Sequence, residues 1–350
     1  MENGKNINLM QLKLKKIKSD ASFRSFFRLY KGKKTTIIVR AKKERFKNLI
    51  AYSAINKFLR DRDIYTPRLI SKNYKKNFIE IEDFGNQTLF DQLKKYKNKL
   101  KIYKQCIDVI LKIQKLSLNN LNLNREKIKY SSSKHFTLKY YDIKELHKES
   151  DLFFDWYLFK LLGKKKSLKY KKKIKKELDN LYQRIFFRNI VVAHRDFHVS
   201  NIMPNNKKLG IIDTQDAIIG NPLYDLVSLL DDVRVTISDK NKDILYRYFL
   251  NKSQKLKKNY AYYVNENREP SGFDFDCLTD SHILSTQRLL KILGIFVRLH
   301  IRDGKSYYLK YLPNTWSLLE SKFKHPYLFK LRNFLNEAVS KKNRKKTFFK

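Results

Sequence analysis

The segment His194-Arg195-Asp196-Phe197-His198-Val199-Ser200-Asn201 places an aspartate and an asparagine in one short polar stretch, and Asp213 follows twelve residues after the asparagine. Transfer of a phosphoryl group from ATP to a hydroxyl needs a carboxylate to accept the nucleophile's proton and hard oxygen ligands to hold Mg²⁺ on the phosphates. This stretch offers both. Asp196 is the candidate base, Asn201 a neutral metal ligand, and Asp213 an anionic ligand reaching the β- and γ-phosphates. The plainer alternative is an Asx turn followed by a strand-end aspartate. The D-x4-N spacing, the later aspartate and the apolar runs on either side favour phosphotransfer.

Those residues need strands to hold them. Ile190 to Ala193 reads as a buried strand, His194 to Pro204 as a loop, and Leu209 to Ile212 as a second strand ending at Asp213. Upstream, Phe23 to Tyr30 and the β-branched Thr35 to Val39 flank a Lys31-Gly32-Lys33-Lys34 turn, the pattern of a hairpin. A helical segment from Lys43 to Leu59 follows, then short strands at Pro67 to Ser71 and Phe78 to Phe84. Beyond Gly85 the period changes to helical: Ile102, Cys106, Val109, Ile110 and Ile113 share one face. Further helices are expected around Ile174 to Ile185, Asp280 to Arg298 and Pro313 to Ala338, with residues 119 to 136 as a long connection. This is an α+β pattern: a protein-kinase-like, two-lobed fold with a small β-rich N-lobe over residues 1–85 and a larger, mainly helical C-lobe over 86–340. A basic tail, 341–350, completes the chain.

Through HRDFHVSN and IIDTQDAIIGNPLYDLVSLL the chain resembles the aminoglycoside phosphotransferase and choline kinase superfamily. Five further blocks sharpen the likeness: Ser19 to Arg24, Glu82 to Gly85, Gln215 to Ala217, Gln287 to Phe296 and Arg302 to Lys305. In that order they resemble the bacterial anomeric N-acetylmuramate/N-acetylglucosamine kinases. The resemblance implies that Asp196 is the catalytic base, that Asn201 and Asp213 bind metal, and that Asp20, Ala21, Ser22 and Phe23 form the loop over the nucleotide phosphates through their backbone N–H groups. It puts Ile81 to Phe84, with Glu82 and Asp83, where the hinge meets adenine. It implies ATP and Mg²⁺ as cofactors, and a free amino sugar phosphorylated at its anomeric hydroxyl in cell-wall recycling. Aminoglycoside or choline-type acceptors are the alternatives within the superfamily.

Two departures stand out. Thr214 occupies the place after the metal aspartate where an aromatic is usual, and the β-branched run ends in Val39-Arg40-Ala41-Lys42 rather than in a single obvious phosphate-binding lysine. Either Arg40 or Lys42 is the candidate there, with Glu44 to orient it. Near the acceptor, Arg195, His198, Gln215 and Asp216 are candidates; Asp216 equally suits a turn cap. Asp225 reads as an N-terminal helix cap and loop brace, and Trp156 as either a sugar platform or core.

The 350 residues are 42% hydrophobic and 14% aromatic, enough for a sizeable core and too many for wholesale disorder. The 77 Lys and Arg residues against 34 Asp and Glu, a formal +43, point to anionic partners or to a coding bias. Lysines spread along the whole chain, beside surplus Asn, Ile, Tyr and Phe, favour the bias. Nucleic acid is expected only as a nonspecific partner, with Lys164, Lys165, Lys166, Lys169, Lys171 to Lys176 and the tail as its best footing. A degenerate kinase fold holding RNA or anionic lipid is the competing class, and the intact Asp196, Asn201 and Asp213 argue against it. Cys106 and Cys277 offer neither a disulfide framework nor metal spacing. With no signal-like or membrane-spanning run, a cytoplasmic protein is expected.

Overall fold

Thr36 to Ala41 alternates in the way a half-buried strand must, and Ile37, Val39 and Ala41 all turn inward. The computed structural model describes residues 12–17, 24–41, 46–118, 128–129, 135–205, 208–265 and 268–345. In it the strands Leu12–Ile17 (β1), Ser25–Lys31 (β2), Lys34–Arg40 (β3), Leu69–Asn73 (β4) and Phe78–Glu82 (β5) form an antiparallel sheet of order β1-β2-β3-β5-β4. Its register sets Ile37 opposite Ile81 and Val39 opposite Ile79. Helix α1, Phe46–Arg60, covers these four side chains with Leu49 and Tyr52. Each such buried aliphatic side chain contributes about 1.5–3 kcal/mol.

The chain forms two compact units, and the first unites residues 1–94 with 125–137 and 200–217. Its last segment is a hairpin of β7, Ile202–Asn205, and β8, Lys208–Ile211. The stretch expected to be loop up to Pro204 is thus partly strand. β8 carries Gly210, where a Cβ would lie 2.5 Å from the Phe84 ring, so the glycine lets that aromatic lie against the hairpin. β1 was not anticipated, because its Leu and Ile residues are set among lysines.

The second unit, residues 95–124, 138–199 and 218–350, is mainly helical. Its described helices include α2 (Lys99–Leu118), α3 (Ile143–Leu152), α4 (Phe159–Tyr182, broken at Gly163), α5 (Tyr224–Leu230) and α6 (Phe273–Asp303). Among the described residues one small antiparallel pair of named strands, β6 (Val191–Ala193) with β9 (Ile218–Gly220), lies between them. α6 is buried along most of its length and stops at Gly304, whose φ of 66° provides the left-handed cap. At Gly294 it passes the end of α3 so closely that an added Cβ would sit 2.2 Å from the Leu152 carbonyl.

Two expectations are corrected. Pro313 to Ala338 is not one helix: Leu312–Lys322 and Phe329–Ala338 are separated by a 3₁₀ turn, because Pro326 holds His325 in extended backbone. Part of the 119–136 connection pairs as two-residue strands, Ile128–Lys129 with His135–Phe136. Lys341–Arg344 is helical, with Arg344 buried against Glu320 at 2.7 Å; residues 346–350 of the tail lie outside the described residues.

Candidate active site

Asp196 follows β6 in the second unit. The loop it sits in is held by Asp225, whose carboxylate accepts from the backbone N–H of His194 (2.7 Å) and of Arg195 (3.0 Å). Arg195 is thereby fixed at a φ of 73°, a left-handed conformation that bulky residues adopt only when their surroundings enforce it. Asp225 braces the loop from the first turn of α5 rather than capping its own helix.

The half-buried Asp196 stands in a cationic field. Burial pushes its carboxyl up, but Lys291, with Arg195 and Arg288, outweighs that and holds it well below the usual carboxylate range. It is ionised at any physiological pH. Behind it lies a network the sequence did not reveal, centred on the buried Glu149 of α3. Glu149 accepts from Lys291 Nζ at 2.9 Å, from Arg195 Nη2, from Tyr141 Oη, and from Gln287 Nε2 at 3.2 Å. Against its burial, Lys291 and Arg195 hold its carboxyl down at about 2. The signal was present in one respect: Gln287 and Lys291 are polar residues one turn apart on a helix whose neighbouring positions Leu289, Leu290, Ile292 and Leu293 are apolar. Arg195 spends its guanidinium on Glu149 and the Tyr141 ring, in keeping with a scaffold role. His198 is buried, and desolvation together with the Arg234 charge lowers its imidazole to about 3. It is neutral at pH 7.

In the first unit, the β7–β8 register sets Ile202 opposite Ile211, so Asn201 and Asp213 flank the open end of one hairpin. The Asn201 carbonyl accepts the Ile212 N–H at 3.1 Å. Asp213 is a second residue of positive φ, 67°. Thr214 replaces the expected aromatic without loss of order, since its buried hydroxyl donates to Asn56 of α1 at 2.6 Å. Arg24, which precedes β2, donates through Nη2 to Asp213 Oδ1 and through Nη1 to Gln215 Oε1 at 2.6 Å. Gln215 in turn donates to the exposed Asp216 at 2.8 Å. Arg24 was legible only as part of a motif block.

Glu82 is paired with Arg60 at 2.9 Å, and Asp83 is forked by Arg28 at 2.5 and 3.0 Å. Both carboxylates are committed to arginines, and the Glu82 backbone N–H donates to the Arg68 carbonyl at 2.9 Å. Arg40 ends β3 exposed; Asp20 to Phe23, Lys42 and Glu44 lie outside the described residues. Trp156 is half-buried in a π-helical turn, Phe153–Leu158.

Among the described residues no group of three His, Cys, Asp or Glu side chains could hold a metal alone. A carboxylate and an amide oxygen nevertheless fit Mg²⁺, which binds through one or two protein oxygens and completes its shell with phosphates and water. Arg24 holds Asp213 through Oδ1, and the aspartate side chain stays about one-third exposed.

The profile of the phosphotransferase enzyme family matches residues 13–251. The chain belongs to that family. This phosphotransferase is 27% identical over 303 residues to the N-acetylmuramate/N-acetylglucosamine kinase of Pseudomonas aeruginosa, covering 87% of this chain and 81% of that one. To the enzyme of the same name from Neisseria meningitidis it is 25% identical over 304 residues, with 84% and 81% covered. A choline/ethanolamine kinase family protein from Mesorhizobium loti shares its fold at a TM-score of 0.57 and 10% identity, over 94% of both chains. An ADP-bound aminoglycoside phosphotransferase does so at 0.52 and 14% identity, over 89% of this chain and 94% of that one. The phosphotransferase thus has the protein-kinase-like fold expected of it. None of its helices, among the described residues, is long and apolar enough to cross a membrane.

Proposed function

We propose that this phosphotransferase transfers the γ-phosphoryl group of ATP to the anomeric hydroxyl of a free N-acetylated amino sugar, N-acetylmuramate or N-acetylglucosamine. The likeness to kinases of that name over more than four-fifths of their length carries the reading. The field at Asp196 supports it: Lys291, Arg195 and Arg288 suit a neutral or anionic acceptor and oppose a polycationic aminoglycoside or a choline.

Asp196, ionised before substrate binds, orients the C1 hydroxyl and accepts its proton as the oxygen attacks the γ-phosphorus and the bond to the departing ADP breaks. Base assistance of this kind is worth about 10²–10⁴-fold. Asn201 and Asp213 would hold Mg²⁺, which when bound neutralises charge on the phosphates. Asp225 fixes the loop backbone so that Asp196 is positioned before substrate arrives. The use of ATP is consistent with a cytoplasmic enzyme, and recycling of cell-wall sugars supplies free acceptors of this class.

ADP release from purified protein with MgATP and a panel of free sugars, methyl glycosides, aminoglycosides and choline tests the reading. Turnover of the free amino sugars, with a 1-phosphate in the phosphorus NMR spectrum, is expected. A 6-phosphate, or turnover of the methyl glycoside, would refute it.

A further inference from the structure

Four cations influence the site residues of the second unit, and three are spoken for. Arg195 and Lys291 are paired with Glu149, and Arg234 with Asp232 at 3.1 Å. Arg288, one turn before Lys291 on α6, is not. It is 3% exposed, its Nη1 has no hydrogen-bond partner, and it forms no ion pair with any described residue. Its charge is felt by Asp196, Asp232 and His198 without a direct bond to any of them.

A buried guanidinium with an unpartnered Nη1 and no direct ion pair is only partly compensated by carboxylates at longer range, and leaving it so is costly. Its place beside the candidate base therefore calls for a charge that arrives with a ligand. Arginine rather than lysine suits a planar, two-oxygen anion, because its fork grips both oxygens at once. Arg288 shares its compact unit with Asp196, whereas Arg24, Asn201 and Asp213, the residues suited to the nucleotide's phosphates and metal, belong to the other. The anion is thus one carried by the acceptor.

We infer that Arg288 binds a carboxylate on the acceptor sugar, and that it sets a preference for the acidic amino sugar over the neutral one. This rests on the amino sugar kinase reading above. N-acetylmuramate differs from N-acetylglucosamine by a lactyl ether at C3, which supplies the carboxylate.

The experiment compares kcat/KM for free N-acetylmuramate and free N-acetylglucosamine in the wild type, Arg288→Met and Arg288→Lys, with a melting curve for each. The wild type should prefer the acidic sugar. Arg288→Met should reduce the ratio of the two kcat/KM values about thirty-fold, the scale of one charged hydrogen-bonded pair, mainly through KM for N-acetylmuramate. Arg288→Lys, which keeps the charge and loses the fork, should recover part of the ratio. If Arg288→Met does not fold, the lysine variant and Arg288→Gln are read by the same ratio. Equal losses on both sugars, or a wild type that favours the neutral sugar, overturn the inference while leaving the kinase reading intact. A wild type that phosphorylates neither sugar refutes that reading instead, before any variant is made.

Discussion

Arg24 grips Asp213 at the head of the β7–β8 hairpin, and the two charges meet beneath the rings of Phe26 and Tyr52, which lie 5.6 and 5.8 Å from the guanidinium. The pair keeps a left-handed aspartate in place. Asp213→Asn should abolish turnover, weaken MgATP binding, and cost about 1–3 kcal/mol of stability because Arg24 loses its partner; the range is set low since the aspartate is one-third exposed. Nucleotide titration and urea denaturation measure both effects. Near-normal turnover would remove Asp213 from the metal site.

Asp196→Asn should behave differently. It should bind MgATP normally and lose about 10²–10⁴-fold in kcat, since it touches the acceptor side. Because the Asp196 carboxyl is held low, the wild-type rate should show no acid limb from this residue between pH 5 and 8. A limb that vanishes in the variant would contradict the electrostatic assignment.

Acid should weaken the fold through His198. Its folded imidazole titrates near 3 against an ordinary 6.5, so between those values the unfolded chain holds a proton that the native state refuses. Stability is then fully present above pH 6.5 and falls as the pH drops toward 3. The share lost by pH 5 is up to about 2 kcal/mol. His198→Gln should flatten the dependence of the urea midpoint on pH between 7 and 5; an unchanged slope would place the acid sensitivity elsewhere.

Gly294→Ala tests the packing of α6 on α3. The new methyl has nowhere to go but into the Leu152 backbone, so the helices must part, at a cost of about 2–3 kcal/mol. Thermal denaturation should register this. A neutral outcome would mean the helices are spaced more widely than described.

The lysines of α4 offer a contrast. Lys171 and Lys175 make surface ion pairs with Asp155 and Asp151, at 2.8 and 2.7 Å. Changing several of Lys171 to Lys176 to Gln should leave kcat/KM within about threefold, well short of the tenfold that 1.4 kcal/mol would give. Any RNA binding should be sequence-blind and lost at a few hundred millimolar salt. Tight, sequence-selective RNA binding in physiological salt would point to a dedicated surface instead.

The spacing of Asp196, Asn201 and Asp213, the hairpin of β2 and β3, and the long apolar face of α6 could be read along the chain, because strand and helix periods and short loop motifs are local properties. β1 escaped for the same reason: its alternating lysines look like solvated charge until β2 pairs with them. The partners of the site residues were not local. Arg24 reaches Asp213 across 189 positions, and Lys291 reaches Glu149 across 142. Nothing in the types of these residues says which acid each base will meet, or that Arg288 will meet none. Folding decides that, since a buried charge is matched by whichever group the packing of distant helices brings within hydrogen-bond reach.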